Sequence, residues 1–156
     1  MFNQTVTKRQ ALIFLAAPLA FVFASPRAQA GLPSVKAYRN PGCGCCEKWS
    51  GLMKDAGFAI TMEDDANLAD RKASLGVPTA LSGCHTAIIG QYVIEGHVPP
   101  ADVIKFLNEK PDALGLAVPG MPAESPGMEM GGTADKYDVL LFNKDGVAHL
   151  YEPLTR

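Results

Sequence analysis

Val35-Lys36-Ala37-Tyr38-Arg39-Asn40-Pro41-Gly42-Cys43-Gly44-Cys45-Cys46 is the stretch on which the fold turns. Val35 to Arg39 is a short strand candidate, stopped by the turn signal Asn40-Pro41-Gly42. A helix is predicted to start at Cys43 to Cys46. Trp49, Leu52, Met53 and Ala56 recur at helical spacing behind it, and Gly57 suits a C-terminal cap. Three cysteines are thereby set at a strand-to-helix junction.

Further along, Phe58 to Met62 reads as a second strand and Asn67 to Leu75 as a short helix closed by Gly76. Thr86-Ala87-Ile88-Ile89 and Tyr92-Val93-Ile94-Glu95 form a predicted hairpin around Gly90-Gln91, a pair suited to a type II′ turn. A last helix is expected from Pro100 to Lys110, with Val103, Ile104, Phe106 and Leu107 as its apolar face and Pro111 as its stop. The order β-α-β-α-β-β-α is that of an α/β, thioredoxin-like fold. A Met/Gly/Pro-rich segment follows, and Tyr137 to Phe142 with Val147 to Tyr151 make a C-terminal hairpin. The expected division is 1–30 signal peptide, 31–118 thioredoxin-like metal-binding domain, 119–136 Met/Gly/Pro-rich segment, and 137–156 C-terminal hairpin packed on the domain.

The chain has 156 residues, enough for one domain with a core. Its net charge is -2, and Lys8, Arg9 and Arg27 lie in the first thirty residues, which contain no acid. The remainder is therefore more acidic than the whole, which argues against nucleic acid or an anionic membrane as partner. Lys8-Arg9, the apolar run Ala11 to Ala24 and Ala28-Gln29-Ala30 read as a signal peptide cleaved after Ala30. The run is short for a bilayer span, so no membrane span is expected after cleavage and the location is periplasmic.

All four cysteines, Cys43, Cys45, Cys46 and Cys84, follow that cleavage site. Cys43 and Cys46 have the spacing of a dithiol redox pair, and a helix N-terminus favours thiolate. Thiolate serves metal binding and disulfide chemistry alike. Cys45 tips the balance, because a third sulfur scrambles a dithiol enzyme but bridges well in a cluster, and neighbouring cysteines pair only with strain. If Ile89 pairs with Tyr92, the register sets Cys84 opposite His97; in a thioredoxin-like fold that open end of the hairpin lies beside the cysteine motif, so both should face the other cysteines, with His85 directed to the opposite face. Pro78 imitates a cis-proline signature but lies away from that place, and no cis bond is expected there. Met121, Met128 and Met130 in the segment add thioethers, soft ligands that select copper(I). The residues also admit paired disulfides (Cys43–Cys46 with Cys45–Cys84), a structural zinc site, or a thiol–disulfide oxidoreductase using Cys43 and Cys46. Trp49, Met53 and Met62 fit core positions, and no role falls to His149 or the last hairpin.

Asn40-Pro41-Gly42-Cys43-Gly44-Cys45-Cys46, Gly83-Cys84-His85-Thr86-Ala87, Glu95-Gly96-His97-Val98-Pro99 and Gly115-Leu116-Ala117-Val118-Pro119-Gly120-Met121-Pro122 together resemble the family that includes the periplasmic copper-resistance protein CopG. The resemblance spans Val35 to Met130. It implies a thioredoxin-like domain with a multinuclear copper cluster on Cys43, Cys45, Cys46 and Cys84, and a role in copper resistance. It also implies a copper oxidoreductase that interconverts copper(I) and copper(II). His97 is expected to join the metal, with His85, Met121 and Met128 as further candidates in matched motifs. Periplasmic copper efflux or chaperone proteins are the expected partners. A passive copper chaperone is the alternative without redox change.

Overall fold

The computed structural model describes residues 31–152; the expected signal peptide with its cleavage site, and residues 153–156, lie outside the described residues. The elements in chain order are β1 (Val35–Arg39), α1 (Gly44–Asp55), β2 (Ile60–Asp64), α2 (Leu68–Ser74), a 3₁₀ turn at Thr79–Leu81, β3 (His85–Ile89), β4 (Tyr92–Glu95), α3 (Pro100–Glu109), β5 (Gly115–Ala117), β6 (Val139–Phe142) and β7 (Ala148–Glu152). The strands form one mixed sheet in the order β2-β1-β3-β4-β5-β6-β7. β1 runs parallel to β2 and antiparallel to β3, and β4 runs parallel to β5.

The hairpin register is the expected one: Ile89 pairs with Tyr92 and Thr86 with Glu95. Gly90 has φ +60° while Gln91 keeps a negative φ, as a type II′ turn requires. The second strand begins at Ile60, two residues later than its apolar run suggests. Phe58 is spent on closing α1, where its N–H donates to the Met53 carbonyl at 3.0 Å. β5 is the element that sequence periodicity leaves unmarked. It has three residues, and Gly115 shows no side chain because a Cβ there would run into the Val93 carbonyl. β5 carries the C-terminal hairpin into the sheet, since Leu116 pairs with Ile94 on one side and Leu141 on the other. All described peptide bonds are trans, including the one before Pro78.

The sheet buries both faces. On one side, Trp49 and Met53 of α1 and Val103 and Phe106 of α3 pack on Val35, Ala37, Ala87, Ile89, Ile94 and Leu116. On the other, Val77 and Leu81 cover Val93, Ala117 and Phe142. Burial of each large apolar side chain contributes about 1.5–3 kcal/mol. Trp49 also satisfies its indole N–H on the Val98 carbonyl at 2.8 Å. This bond pins the first turns of α1 to the chain leaving β4.

Three backbones meet at the end of that hairpin. A Cβ on Gly83 would lie 2.6 Å from Gly96 Cα, and one on Gly96, at φ +71°, would strike the Val118 carbonyl. Gly96→Ala is therefore expected to destabilise the protein by about 2 kcal/mol or more in urea unfolding. Gly90→Ala, also at positive φ but facing open space, should cost about 1 kcal/mol. Equal losses for the two would contradict this packing.

Candidate metal centre

Cys43 occupies the N-cap of α1, with φ -71° and ψ 95°, and no side chain caps the helix there. Its thiol stands where a capping hydroxyl usually does, among the unpaired N–H groups of the first turn. Gly42, at φ +78°, makes the turn that brings it there. Arg39 braces the turn from β1: it donates to the Cys43 carbonyl at 3.1 Å and pairs with Glu47 at 2.9 Å and Asp64 at 2.8 Å. Cys45 and Cys46 follow in the same turn, and Cys46 is fully buried.

Cys84 comes from the other side, just before β3. Its sulfur lies 3.1 Å from Cys43 Sγ, 3.2 Å from Cys45 Sγ and 3.4 Å from Cys46 Sγ. All four sulfurs fall within 4.8 Å of one another. Cys43 and Cys46 are joined as a disulfide across 5.4 Å between Cα atoms, and Cys45 and Cys84 are free thiols. Four thiolates thus require two electrons delivered to that bridge and the loss of one proton each from Cys45 and Cys84. Burial pushes the Cys84 thiol up to about 12, Cys45 adds to the rise, and the charge of Lys72 pulls the other way. A donor set made only of sulfur suits soft ions, copper(I) above all, and does not suit calcium or magnesium.

His97 and His85 stand outside the set of four sulfurs but pack together beside it. The Pro126 carbonyl sits 2.8 Å from His97 Nδ1. A carbonyl only accepts, so Nδ1 carries the proton and Nε2 keeps its lone pair. That Nε2 is buried with no hydrogen-bond partner, and neither nitrogen of fully buried His85 has one. The expectation that His85 faces away is corrected here. Its ring lies 5.0 Å from that of His97, edge-on, and 4.2 Å from Trp49. Strand alternation runs from His85 onward and puts it with Ala87 and Ile89 on the α1 face. Cys84 precedes the strand, and Gly96 turns the chain before His97, so alternation binds neither. Burial holds both imidazoles below the usual range, His85 most strongly.

The methionine segment closes on the site at two points. Gly120 bridges to Gly83, beside Cys84. Gly127 rests on α1 so closely that a Cβ would lie 2.8 Å from the Cys45 carbonyl and 2.8 Å from the Trp49 nitrogen. Met121 and Met128 each follow one of these contact residues; Met121 is mostly exposed and Met128 half-buried.

One constellation was not anticipated from the sequence. Glu95, fully buried, accepts from the Gly83 N–H at 2.7 Å and from the buried ammonium of Lys72. The available signal was a lone acid continuing the apolar run Tyr92-Val93-Ile94.

Residues 81–128 match the family described as "Protein of unknown function, DUF411". Two solved structures, named Copper resistance protein copG Form 1 and Form 2, are similar to the chain. They share 41% and 40% identity and cover 76% of this chain. The matches take in 94% and 95% of those chains, each with a TM-score of 0.72. No curated protein sequence matches.

The buried histidines make stability depend on pH. With folded pKa values below the unfolded one, they bind fewer protons folded than unfolded. Stability is full above the ordinary imidazole value of about 6.5 and falls as pH drops through it. Melting curves of the metal-free protein should shift down between neutral pH and pH about 5. His85→Phe, which keeps ring and burial, should flatten that shift; an unchanged slope would contradict it.

Proposed function

This chain belongs to the family of the copper resistance protein CopG, and we propose that it serves copper resistance by holding copper(I) in a multinuclear cluster on Cys43, Cys45, Cys46 and Cys84. The convergence of the four sulfurs within 4.8 Å carries the reading. Thiolates bridge copper(I) readily, so a cramped sulfur set favours several ions over one tetrahedral zinc. His97 is read as a further ligand through its unprotonated Nε2, with His85, Met121 and Met128 as neighbours able to donate.

Copper is the substrate here, and when bound it brings one-electron chemistry between copper(I) and copper(II). The chain's own part is to gather the sulfurs and shield them from water. Burial of Cys46 and the closure of residues 119–132 over α1 support that role. The connectivity from β1 to α3, with β1 parallel to β2 and β3 between β1 and β4, is read as thioredoxin-like. On this reading residues 31–118 form the metal-binding domain, 119–136 a strap over it and 137–156 a hairpin packed on it. A signal peptide cleaved after Ala30 delivers the protein to the periplasm, where copper efflux or chaperone proteins exchange copper with it.

One observation favours a second reading. The Cys43–Cys46 bridge at a helix N-terminus is what a thiol–disulfide oxidoreductase uses. Cys84, in contact with both of its sulfurs, argues for the metal.

Anaerobic titration of the fully reduced protein with copper(I) separates them. Several copper(I) per chain are expected, with loss of most binding in Cys84→Ser. Saturation at one ion would sink the cluster, and insulin reduction that survives Cys45→Ser would favour the oxidoreductase.

A further inference from the structure

Lys72 of α2 and Glu95 of β4 form an ion pair inside the protein, 7% and 0% exposed. Burying two charges costs several kcal/mol of lost hydration per ion, and an apolar pair of similar volume is often as stable. Stability alone is therefore a weak reason for this pair. Its position is informative. The Glu95 oxygen that meets Lys72 also accepts the Gly83 N–H at 2.7 Å. Gly83 is the residue before Cys84, whose sulfur contacts the other three. Glu95 itself lies two residues before His97. The pair thus sits where the two segments reaching the centre from the hairpin come together. Gly83 is held there by backbone on the other side too, against Gly96 and Val118.

One carboxylate oxygen thus joins the Lys72 ammonium to the peptide that leads directly into Cys84. Lys72 also lines an open cleft of about 420 Å³ with Asn40, Ser82 and Gly83. Four thiolates gather more negative charge than a few monovalent ions neutralise, so a fixed cation beside them stabilises the loaded centre.

We propose that Lys72 and Glu95 are positioning residues of the sulfur centre: Glu95 fixes the Cys84 backbone through the Gly83 N–H, and Lys72 supplies a buried countercharge to the metal-loaded thiolates. This rests on the copper reading above. Neither residue touches the metal; both act through Cys84.

The test compares reduced wild type, Lys72→Met, and the double variant Lys72→Met with Glu95→Leu. Two readouts are taken: melting temperature without metal, and copper(I) affinity by anaerobic competition with bicinchoninate. The single variant should lose both stability and affinity, because Glu95 is left buried and unpaired. The double variant should regain most of the melting temperature yet bind copper(I) about tenfold more weakly or worse. Recovery of affinity together with stability would overturn the proposal, leaving the pair purely structural. If the double variant does not fold, Lys72→Met with Glu95→Gln takes its place. The Gln oxygen can still accept the Gly83 N–H, so the backbone contact is kept while both charges of the pair are lost, and unchanged affinity would overturn the countercharge role of Lys72. A wild type that binds no copper(I) would instead overturn the copper reading and this inference with it.

Discussion

The sulfur centre depends on a place where backbone packs directly on backbone. Gly83, Gly96 and the Val118 carbonyl lie too close for any Cβ between them. The turn carrying Cys84 is thereby pressed toward the start of α1, and the chain bearing His97 is turned inward at Gly96. Trp49 fixes the other side through its bond to the Val98 carbonyl. Two segments far apart in sequence then meet at one helix N-terminus. Sulfurs 39 and 41 residues apart come to 3.2 and 3.1 Å from one another. The same contact explains why β4 stops where it does and why β5 can pair beside it.

The chemistry follows from that convergence. A helix N-terminus lowers the cost of a thiolate, whereas burial raises it, and at Cys84 burial is the largest influence. Such a sulfur parts with its proton reluctantly unless a soft cation replaces it. The Cys43–Cys46 bridge adds a second condition, since two of the four sulfurs become ligands only after reduction. Metal occupancy is then tied to the redox state of the surroundings. The neutral imidazoles of His85 and His97 place further donors close by without adding charge.

Much of this was legible in the sequence because it is local. Turn residues, helical spacing and the Gly90-Gln91 turn located β1, α1, β3, β4 and α3, and the hairpin register followed from the turn itself. The four cysteines could be brought together from that register only with the thioredoxin-like element order, which sets the open end of the hairpin beside the first helix. What escaped lies where local pattern loses control. β5 has three residues, and its glycine is dictated by a contact with β4. The side taken by His85 depended on where regular pairing begins, one residue after Cys84. The Lys72–Glu95 pair joins a helix to a strand across 23 positions. Periodicity carries no information about such a partner, and only a charge at a strand position surrounded by apolar residues hints at it.

The central claim is that the four cysteines bind copper together. Copper and sulfur X-ray absorption on protein purified from copper-stressed cells tests it most directly. The account expects a copper shell dominated by sulfur and short copper–copper scattering, both absent in a variant with all four cysteines replaced by serine. A shell of nitrogen and oxygen around isolated copper, or zinc in its place, would contradict it.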